Sequence, residues 1–327
     1  MPGKNDPKKP RLDPRLAERL ARKKTQLDRY RPLPPDTVKR LNDDLRVFLT
    51  YHSNAIEGNT LSLRETQMVI DYGMTMRGHS LREYLEAANH AEAYNYLIDL
   101  ADKNTPITRD TILMLHDLVM DKILEAKGQF RTVPVYIRGA NMTPPPPSRV
   151  ESLIKEWLAW IDGEGKEYEP IIRAAIAHHG FEAVHPFVDG NGRVGRLLLN
   201  LMLMRGGYPP ALLLRDWRIR YIQGLDTANT GNYRPLANLI GQAVEAGLDL
   251  YLEACAAPPN DDYQLLSTLA QTTGYSVDYL GWLIRQGRIA AVKRGGRWYS
   301  TLEEVNRYKS EVEAGLAARP RSDGKKK

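Results

Sequence analysis

The chain has 327 residues, of which 42% are hydrophobic, with 25 glycines and 21 prolines. That composition excludes a wholly disordered chain, and the length suffices for two or three folded units. The single cysteine, Cys255, excludes an intramolecular disulfide, and no apolar run is long enough to span a bilayer. Because no apolar segment follows the first basic residues, as a signal peptide would require, we predict a cytoplasmic protein with no membrane partner.

Most of the net charge of +6 belongs to the two ends of the chain. Residues 1–24 hold nine Lys/Arg against three Asp/Glu, and residues 316–327 hold five against one. The chain between them is therefore slightly acidic, so the net charge gives little support for a nucleic-acid partner. The basic, proline-containing start predicts a flexible arm over residues 1–35, and the end predicts a basic tail over residues 316–327.

Hydrophobic residues at helical spacing predict that the chain is mainly α-helical up to about residue 250. One helix begins at Asp36 and ends at Glu57, where Gly58 supplies the C-cap. Ser62 followed by Glu65 is a capping box that starts the next helix. The same spacing predicts helices over residues 81–100, 109–124, 150–161 and 171–184. We divide these into an N-terminal helical region, residues 36–100, and a core, residues 101–257.

Residues 130–137 differ from their surroundings because they are rich in Val, Tyr and Thr and follow Gly128. This composition predicts a short strand or hairpin within the helical region. Pro258 and Pro259 then mark an internal boundary, after which a small module follows over residues 260–315.

The segment with the most chemistry is residues 185–196, which read His-Pro-Phe-Val-Asp-Gly-Asn-Gly-Arg-Val-Gly-Arg and precede an apolar, helix-forming run. Glycines at a helix N-terminus let backbone amides approach an anion, and the helix dipole favours negative charge there. Arg193 and Arg196 lie three residues apart on that helix and add positive charge. The segment therefore predicts a phosphate-binding loop.

Two further side chains of this segment suggest a reaction at the bound phosphates. Asp189 is a hard carboxylate suited to a Mg²⁺ ion that bridges phosphate oxygens. A neutral His185 can take the proton of an attacking hydroxyl as a general base. Each feature alone is common in turns and protein cores, whereas their combination is not.

The twelve residues match every fixed position of HPFx(D/E)GNGRxxR, the motif of the Fic family. Residues 36 to about 257, including residues 204–210 and Ala228-Asn229, resemble the Fic-type AMP transferases that include the animal endoplasmic-reticulum enzyme. The resemblance implies a mainly α-helical Fic-type core with a small β-hairpin flap. It also implies a protein adenylyltransferase that moves AMP from ATP, with Mg²⁺, to a Ser, Thr or Tyr hydroxyl of a target protein or of itself.

The resemblance assigns roles to seven residues of the motif. His185 would be the general base, Asp189 would bind Mg²⁺, and Arg196 would hold the γ-phosphate. The rest of the implied nucleotide phosphate site consists of Gly190, Asn191, Gly192 and Arg193.

Outside the motif, the resemblance implies an adenine site and a flap beside the nucleotide. Tyr221 and Asn229 would lie around the adenine, although Ile222 replaces a second tyrosine of the animal enzyme. The flap would pair with the backbone of an extended target segment. Its residues expected beside the nucleotide are Val135, Tyr136, Ile137 and Arg138. A hairpin that merely closes the helical core is the alternative.

Residues 53–58 match the (S/T)xxxE(G/N) inhibitory motif of the same family. Ser53 and Glu57 share a helix face, and a carboxylate in the last turn lies at the unfavourable end of the dipole unless a cation compensates. The resemblance supplies Arg196 as that cation, so Glu57 would take the place of the γ-phosphate and inhibit the enzyme. Two alternatives remain: Glu57 orients a water that removes AMP from a modified target, or it only ends a helix.

The module over residues 260–315 reads as two short helices about Gly274, a hairpin and a last helix. This order resembles an excisionase or MerR-like winged helix-turn-helix, which implies DNA as a partner, although such a module also docks proteins. The basic side chains expected to contact DNA are Arg285, Arg288, Lys293, Arg294 and Arg297.

Two other functions stay open at this point. A metal-dependent hydrolase would use His178, His179, His185 and Asp189, but it leaves the glycine loop without a role. A DNA-binding regulator would use the helical core only to sense a nucleotide. A homodimer is compatible with either, and the identity of the target protein is not encoded in any recognisable motif.

Overall fold

The structure is a computed structural model that describes residues 10–103, 106–137, 142–256, 263–286, 288–294 and 297–313. The chain divides into two compact units, Met1–Ala254 and Cys255–Lys327. Within the described ranges, no helix is both long enough and apolar enough to cross a bilayer. The linker predicted at Pro258 and Pro259, the whole basic tail (residues 316–327) and Arg138 of the flap lie outside these ranges.

The first unit is built from α-helices, as its sequence periodicity predicts. In the described residues they are α1 (Pro14–Asp28), α2 (Pro35–Glu57), α3 (Leu63–Tyr72), α4 (Leu81–Asp102), α5 (Arg109–Val119), α6 (Pro147–Asp162), α7 (Pro170–Val184), α8 (Asn191–Arg205), α9 (Arg218–Ala228) and α10 (Arg234–Ala256). Two 3₁₀ turns accompany them, Glu164–Glu167 and Arg215–Trp217.

α7 and α8 lie at the centre of this unit. Both helices are buried around most of their circumference rather than on one stripe, and their buried residues include a few polar ones. α2, α4, α5 and α6 surround the pair. The loop between α7 and α8, residues 185–190, is therefore attached to the two most buried helices of this unit.

The predicted ends of several helices are confirmed by their caps. Gly58 adopts the left-handed conformation, φ 104°, that ends α2. Ser62 and Glu65 form the predicted capping box of α3, and Thr108 caps α5. α5 ends at Val119, before its predicted end, because the chain turns where Lys122 takes a left-handed φ of 56°.

The prediction of a flexible arm over residues 1–35 is wrong for its described part. Residues Pro14–Asp28 form α1, and Leu16, Leu20 and Leu27 are buried. This leucine stripe was missed in the sequence because many of the intervening residues are basic, which makes the segment look like a charged arm. These basic side chains pair with α10 instead, where the Arg19 guanidinium makes two 2.8 Å hydrogen bonds to Glu245.

The predicted hairpin at residues 130–137 is also wrong, since none of these residues is in a strand. Pro134 has no N–H to donate to a ladder. The Arg131 N–H donates instead to the Pro186 carbonyl at 2.9 Å, so the segment is attached to the loop before α8.

The second unit contains all strands of the described chain. Its elements are β1 (Tyr263–Leu265), α11 (Leu266–Thr273), α12 (Val277–Arg285), β2 (Val292–Arg294), β3 (Arg297–Thr301) and α13 (Leu302–Glu313). β3 lies between β1 and β2, antiparallel to both. Gly274, with φ 77°, ends α11, and Ser276 caps α12. A small core centred on Leu269, Leu280 and Leu283 holds the unit together.

Candidate active site

His185 ends α7 in a left-handed conformation, φ 49°, that is unusual for a residue other than glycine. This turn places the imidazole at the edge of a cavity, and its Nδ1 lies 3.3 Å from the Glu182 carbonyl. Because a carbonyl only accepts, Nδ1 carries the proton and Nε2 keeps its lone pair. Burial is the main cause that lowers the pKa of His185, so the ring is neutral at neutral pH.

Arg131 fixes the backbone around His185. Its side chain is buried and donates hydrogen bonds to the carbonyls of His185 at 2.7 Å and Pro145 at 2.6 Å. Burial lowers the pKa of this guanidinium. A strained turn held by charge-assisted hydrogen bonds keeps its geometry, so His185 is pre-positioned.

The loop between His185 and α8 is closed on itself by Asn191. The Asn191 amide accepts a hydrogen bond from the Phe187 N–H at 2.8 Å and donates one to the Phe187 carbonyl at 2.9 Å. The Phe187 ring is fully buried and stacks on His116, with ring centres 3.6 Å apart. Asn191 therefore shapes the loop with both ends of its side chain, and a phosphate would meet only the backbone at this position.

Asp189 and Arg193 belong to a ring of four alternating charges. The Asp189 carboxylate contacts Arg82 and lies 3.3 Å from Arg193. Glu86 closes the ring, 3.1 Å from Arg82 and 3.2 Å from Arg193. Burial opposes the charged form of Asp189, but Arg193, the Gly190 amide and Arg82 outweigh it and leave the pKa below its usual value. Arg193 is only 2% exposed, so it supports the loop from inside.

Arg196 joins α8 to the end of α2. Its Nε donates to the Ser53 hydroxyl at 3.0 Å, and one terminal nitrogen donates to the Ser53 carbonyl at 2.9 Å. The same nitrogen lies 2.8 Å from the Glu57 carboxylate. The predicted partner of Glu57 is thus in place, although Glu57 keeps 41% of its side chain exposed.

Gly192 allows this contact. A Cβ built at Gly192 would lie 2.2 Å from Glu57 Oε1 and 2.9 Å from an Arg196 nitrogen. The glycine predicted for backbone access to a phosphate therefore faces the carboxylate of α2 in this structure.

A cavity of about 160 Å³ opens beside these groups. It brings together the predicted base His185, the predicted inhibitor Glu57, the predicted adenine contacts Tyr221 and Asn229, and Ile137 of the predicted flap. Val135 and Tyr136 are not among its lining residues, and Tyr136 is 87% exposed. Its lining residues are Ile56, Glu57, Ile137, Met142, His179, Glu182, Ala183, His185, Gly192, Arg196, Arg218, Tyr221, Ile222, Leu225, Asp226 and Asn229.

His178 and His179, which the hydrolase hypothesis assigns to a metal, are each hydrogen-bonded to other groups. His178 bonds the Gly195 carbonyl through Nδ1 and the Tyr221 hydroxyl through Nε2. His179 is committed to the Asn229 amide at 2.8 Å. In the part of the chain that the structure describes, no three His, Cys, Asp or Glu side chains are grouped as a metal site requires. His178 and His179 instead position the side chains of Tyr221 and Asn229.

Sequence reasoning missed several groups that shape the site. Arg131, His116 and Glu86 act on the loop from other elements, and no local pattern marks them. Glu182 is three residues before His185, and its Oε1 is buried without a hydrogen-bond partner. The available signal was a charged residue in the apolar second half of α7, which applies to Glu182.

Comparison with known proteins assigns this architecture. Residues 106–203 match the Fic/DOC family. A solved structure of Fic-1 from C. elegans is 34% identical and superposes with a TM-score of 0.66, covering 74% of this chain and 73% of that one. The chain belongs to the Fic/DOC family. A Fic domain containing signaling protein from Bacteroides thetaiotaomicron, 26% identical, superposes with a TM-score of 0.67 over 74% of this chain and 98% of that one.

Curated relatives of this Fic chain include a protein adenylyltransferase Fic from Culex quinquefasciatus. It is 36% identical over 246 residues, which are 74% of this chain and 49% of the relative. The chain thus spans about half the length of the curated relatives it matches.

Proposed function

We propose that this Fic chain is an autoinhibited protein adenylyltransferase that transfers AMP from ATP to a hydroxyl of a target protein. The observation that carries the proposal is the placement of a neutral, anchored imidazole and a buried guanidinium on one cavity. His185 supplies the base and Arg196 the positive charge for a phosphate. The similarity to curated adenylyltransferases supports the same reaction.

In the proposed reaction, His185 Nε2 takes the proton from the target hydroxyl while that oxygen attacks the α-phosphorus of ATP. The bond from the α-phosphorus to the bridging oxygen breaks, and pyrophosphate leaves. His185 is suited to this because burial keeps it neutral and Glu182 fixes its tautomer. The amides at the start of α8 and the Arg196 guanidinium would bind the phosphates.

Asp189 is the residue proposed to hold Mg²⁺. Its carboxylate keeps 40% of its surface exposed at the loop, and a single hard oxygen ligand suits a Mg²⁺ ion that retains most of its waters. Arg82, which is 54% exposed, is the contact that must yield to the cation. When bound, Mg²⁺ would neutralise phosphate charge.

Glu57 is the proposed inhibitor. Its carboxylate is 2.8 Å from Arg196 and occupies the side of Gly192 on which a phosphate would bind. ATP therefore has to displace a carboxylate before its phosphates reach Arg196. The alternative, in which Glu57 only ends α2, does not explain why its carboxylate contacts Arg196.

The test is incubation of wild type, Glu57→Gly and His185→Ala with labelled ATP, Mg²⁺ and lysate, followed by mass spectrometry for added AMP. We expect the first substitution to raise incorporation at least tenfold and the second to abolish it. Equal incorporation by wild type and Glu57→Gly would contradict inhibition, and activity of His185→Ala would contradict the base.

The exposed carboxylate of Glu57 also faces the cavity that holds His185, which favours a second reaction at the same site. We propose that Glu57 orients a water for removal of AMP from a modified target. Purified modified target should lose AMP with wild type and keep it with Glu57→Gln. Equal loss with both proteins would contradict this role.

The second unit supports a separate proposal, DNA binding by a winged helix-turn-helix. α11 and α12 flank Gly274, and β2 and β3 form an antiparallel ribbon beside them. Arg285, Arg288 and Arg297 are exposed, while Lys293 and Arg294 lie in β2 with side chains outside the described part. Duplex affinity should fall steeply between 50 and about 200 mM salt. Absence of binding at low salt would favour a protein-docking module.

A further inference from the structure

The end of α2 is held by more than Arg196. The last carbonyls of a helix have no partner inside the helix. The Gly58 N–H donates to the Ala55 carbonyl and the Asn59 N–H to the Asn54 carbonyl, both at 3.1 Å. The Ile56 carbonyl, next to Glu57, accepts a hydrogen bond from Arg218 Nε at 2.7 Å.

Other contacts from the same segment reach further back along α2. The Arg215 N–H donates to His52 Nδ1 at 3.0 Å, and the Arg215 guanidinium lies 5.6 Å from the Tyr51 ring centre. Burial lowers the pKa of His52 to about 4, so its Nδ1 is free to accept at neutral pH. The turn Arg215–Trp217 and the start of α9 thus run beside the last two turns of α2.

Arg218, unlike Arg215, also lines the cavity. It shares that cavity with Glu57, Arg196 and His185. A cation at a helix C-terminus is favourable, so the Ile56 contact stabilises the end of α2 in its present position.

We propose that Arg218 is a positioning residue that keeps the Glu57 carboxylate on Arg196. The inference rests on the proposed inhibition by Glu57. An incoming nucleotide phosphate competes for Arg196 itself, so the bonds of Arg196 to Ser53 and Glu57 weaken when ATP binds. The Arg218 bond does not use that guanidinium, and it holds the residue before Glu57 while the competition occurs.

The expected size follows from the type of contact. A hydrogen bond from a charged donor, screened by solvent because the Arg218 side chain is exposed, corresponds to a roughly 3- to 10-fold change in an equilibrium constant. Removal of the donor should therefore release Glu57 in part, and less than removal of Glu57 does.

The experiment compares Arg218→Gln with Arg220→Gln, a control on the same exposed start of α9 whose guanidinium contacts Gln242. Each is made in the wild type and in the Glu57→Gly background. Two readouts are taken, the affinity for a non-hydrolysable ATP analogue with Mg²⁺ and the incorporation of AMP. Melting temperatures show whether each variant is folded.

We expect Arg218→Gln to raise affinity and incorporation roughly 3- to 10-fold in the wild type and to change neither in Glu57→Gly. Arg218→Lys keeps a cation near the Ile56 carbonyl and should therefore retain most of the inhibition. This second variant keeps the proposal testable if Arg218→Gln does not fold. Arg220→Gln should match its parent in both backgrounds.

Three results would overturn the proposal. If Arg218→Gln leaves affinity and incorporation unchanged, the Arg218 bond does not restrain Glu57. If Arg218→Gln raises them in the Glu57→Gly background as well, Arg218 acts on the site by a mechanism that does not involve Glu57. A loss of affinity in both backgrounds would make Arg218 a nucleotide contact. If Glu57→Gly transfers no AMP, the proposed activity fails, but the affinities still decide the role of Arg218.

Discussion

The Asp189 carboxylate, proposed above to hold Mg²⁺, contacts two arginines that differ in their burial. Arg193 is buried and holds Asp189 from within the fold, whereas Arg82 approaches it from the solvent side. The two contacts therefore differ in how readily they break, because an exposed ion pair contributes little and a buried one resists change.

Substitution of Arg82 by Ala should strengthen Mg²⁺ binding. Loss of one unit charge at about 4 Å contributes about 1 kcal/mol in a water-like environment, which is about fivefold in affinity. Mn²⁺ titration by paramagnetic resonance, and the MgCl₂ dependence of AMP incorporation in the Glu57→Gly background, measure the change. Arg64→Ala, at an exposed arginine of α3, is the control. A weaker or unchanged cation affinity would show that Arg82 does not compete for Asp189.

At the scale of elements, α1 belongs to the helical unit because of what it buries. Leu16 approaches α10 where Gly241 has no side chain, since a Cβ there would lie 3.0 Å from Leu16 Cδ2. The Asp13 N–H bonds the Asn238 side chain at 2.9 Å, and Asp13 also caps α1. A helix attached by its cap, its leucines and its ion pairs is part of the fold.

Leu20→Ala should therefore destabilise this unit by about 2–4 kcal/mol, because Leu20 is 2% exposed and its loss leaves a cavity. Arg22→Ala, on the exposed side of α1, should change stability by less than about 0.5 kcal/mol. Urea unfolding of the full chain followed by tryptophan fluorescence measures both. Equal stability of Leu20→Ala and wild type would show that residues 14–28 do not pack on the helical unit.

The same elements show what the sequence could predict. Caps and glycine turns are local, so the sequence predicted Gly58 and Ser62 at the right positions, and the loop motif brought attention to His185 and Arg196. The path of residues 130–137 depends on Arg131 bonding carbonyls more than 50 positions away, such as that of His185. Composition over a short window carries no information about such a partner, which is also why α1 was misjudged.

At the scale of the whole molecule, four histidines that are buried or half-buried are held in the neutral form. Burial lowers the pKa of His52 and His116 to about 4 and of His90 and His178 to about 3. The unfolded chain binds protons at these positions below about pH 6.5, while the folded chain does not. Stability should therefore fall by several kcal/mol as the pH is lowered from 7 to 5. Melting temperatures at pH 8, 7, 6 and 5 measure this, and a maximum at pH 5 would contradict it.

Glu182 acts in the opposite direction. Burial raises the pKa of its carboxyl to about 8, so the folded state takes up a proton as the pH falls from 8 towards 4.5 and gains stability relative to the unfolded chain. Above pH 8 the carboxylate is charged in a site where Oε1 has no hydrogen-bond partner.

Glu182→Gln should be more stable than wild type at pH 9, with a difference that shrinks as the pH falls to 5. Glu92→Gln, at an exposed position of α4, should show no such trend. A constant difference for Glu182→Gln across this range would mean that the carboxyl does not titrate there, and the decline of stability in acid would then reflect the histidines without this offset.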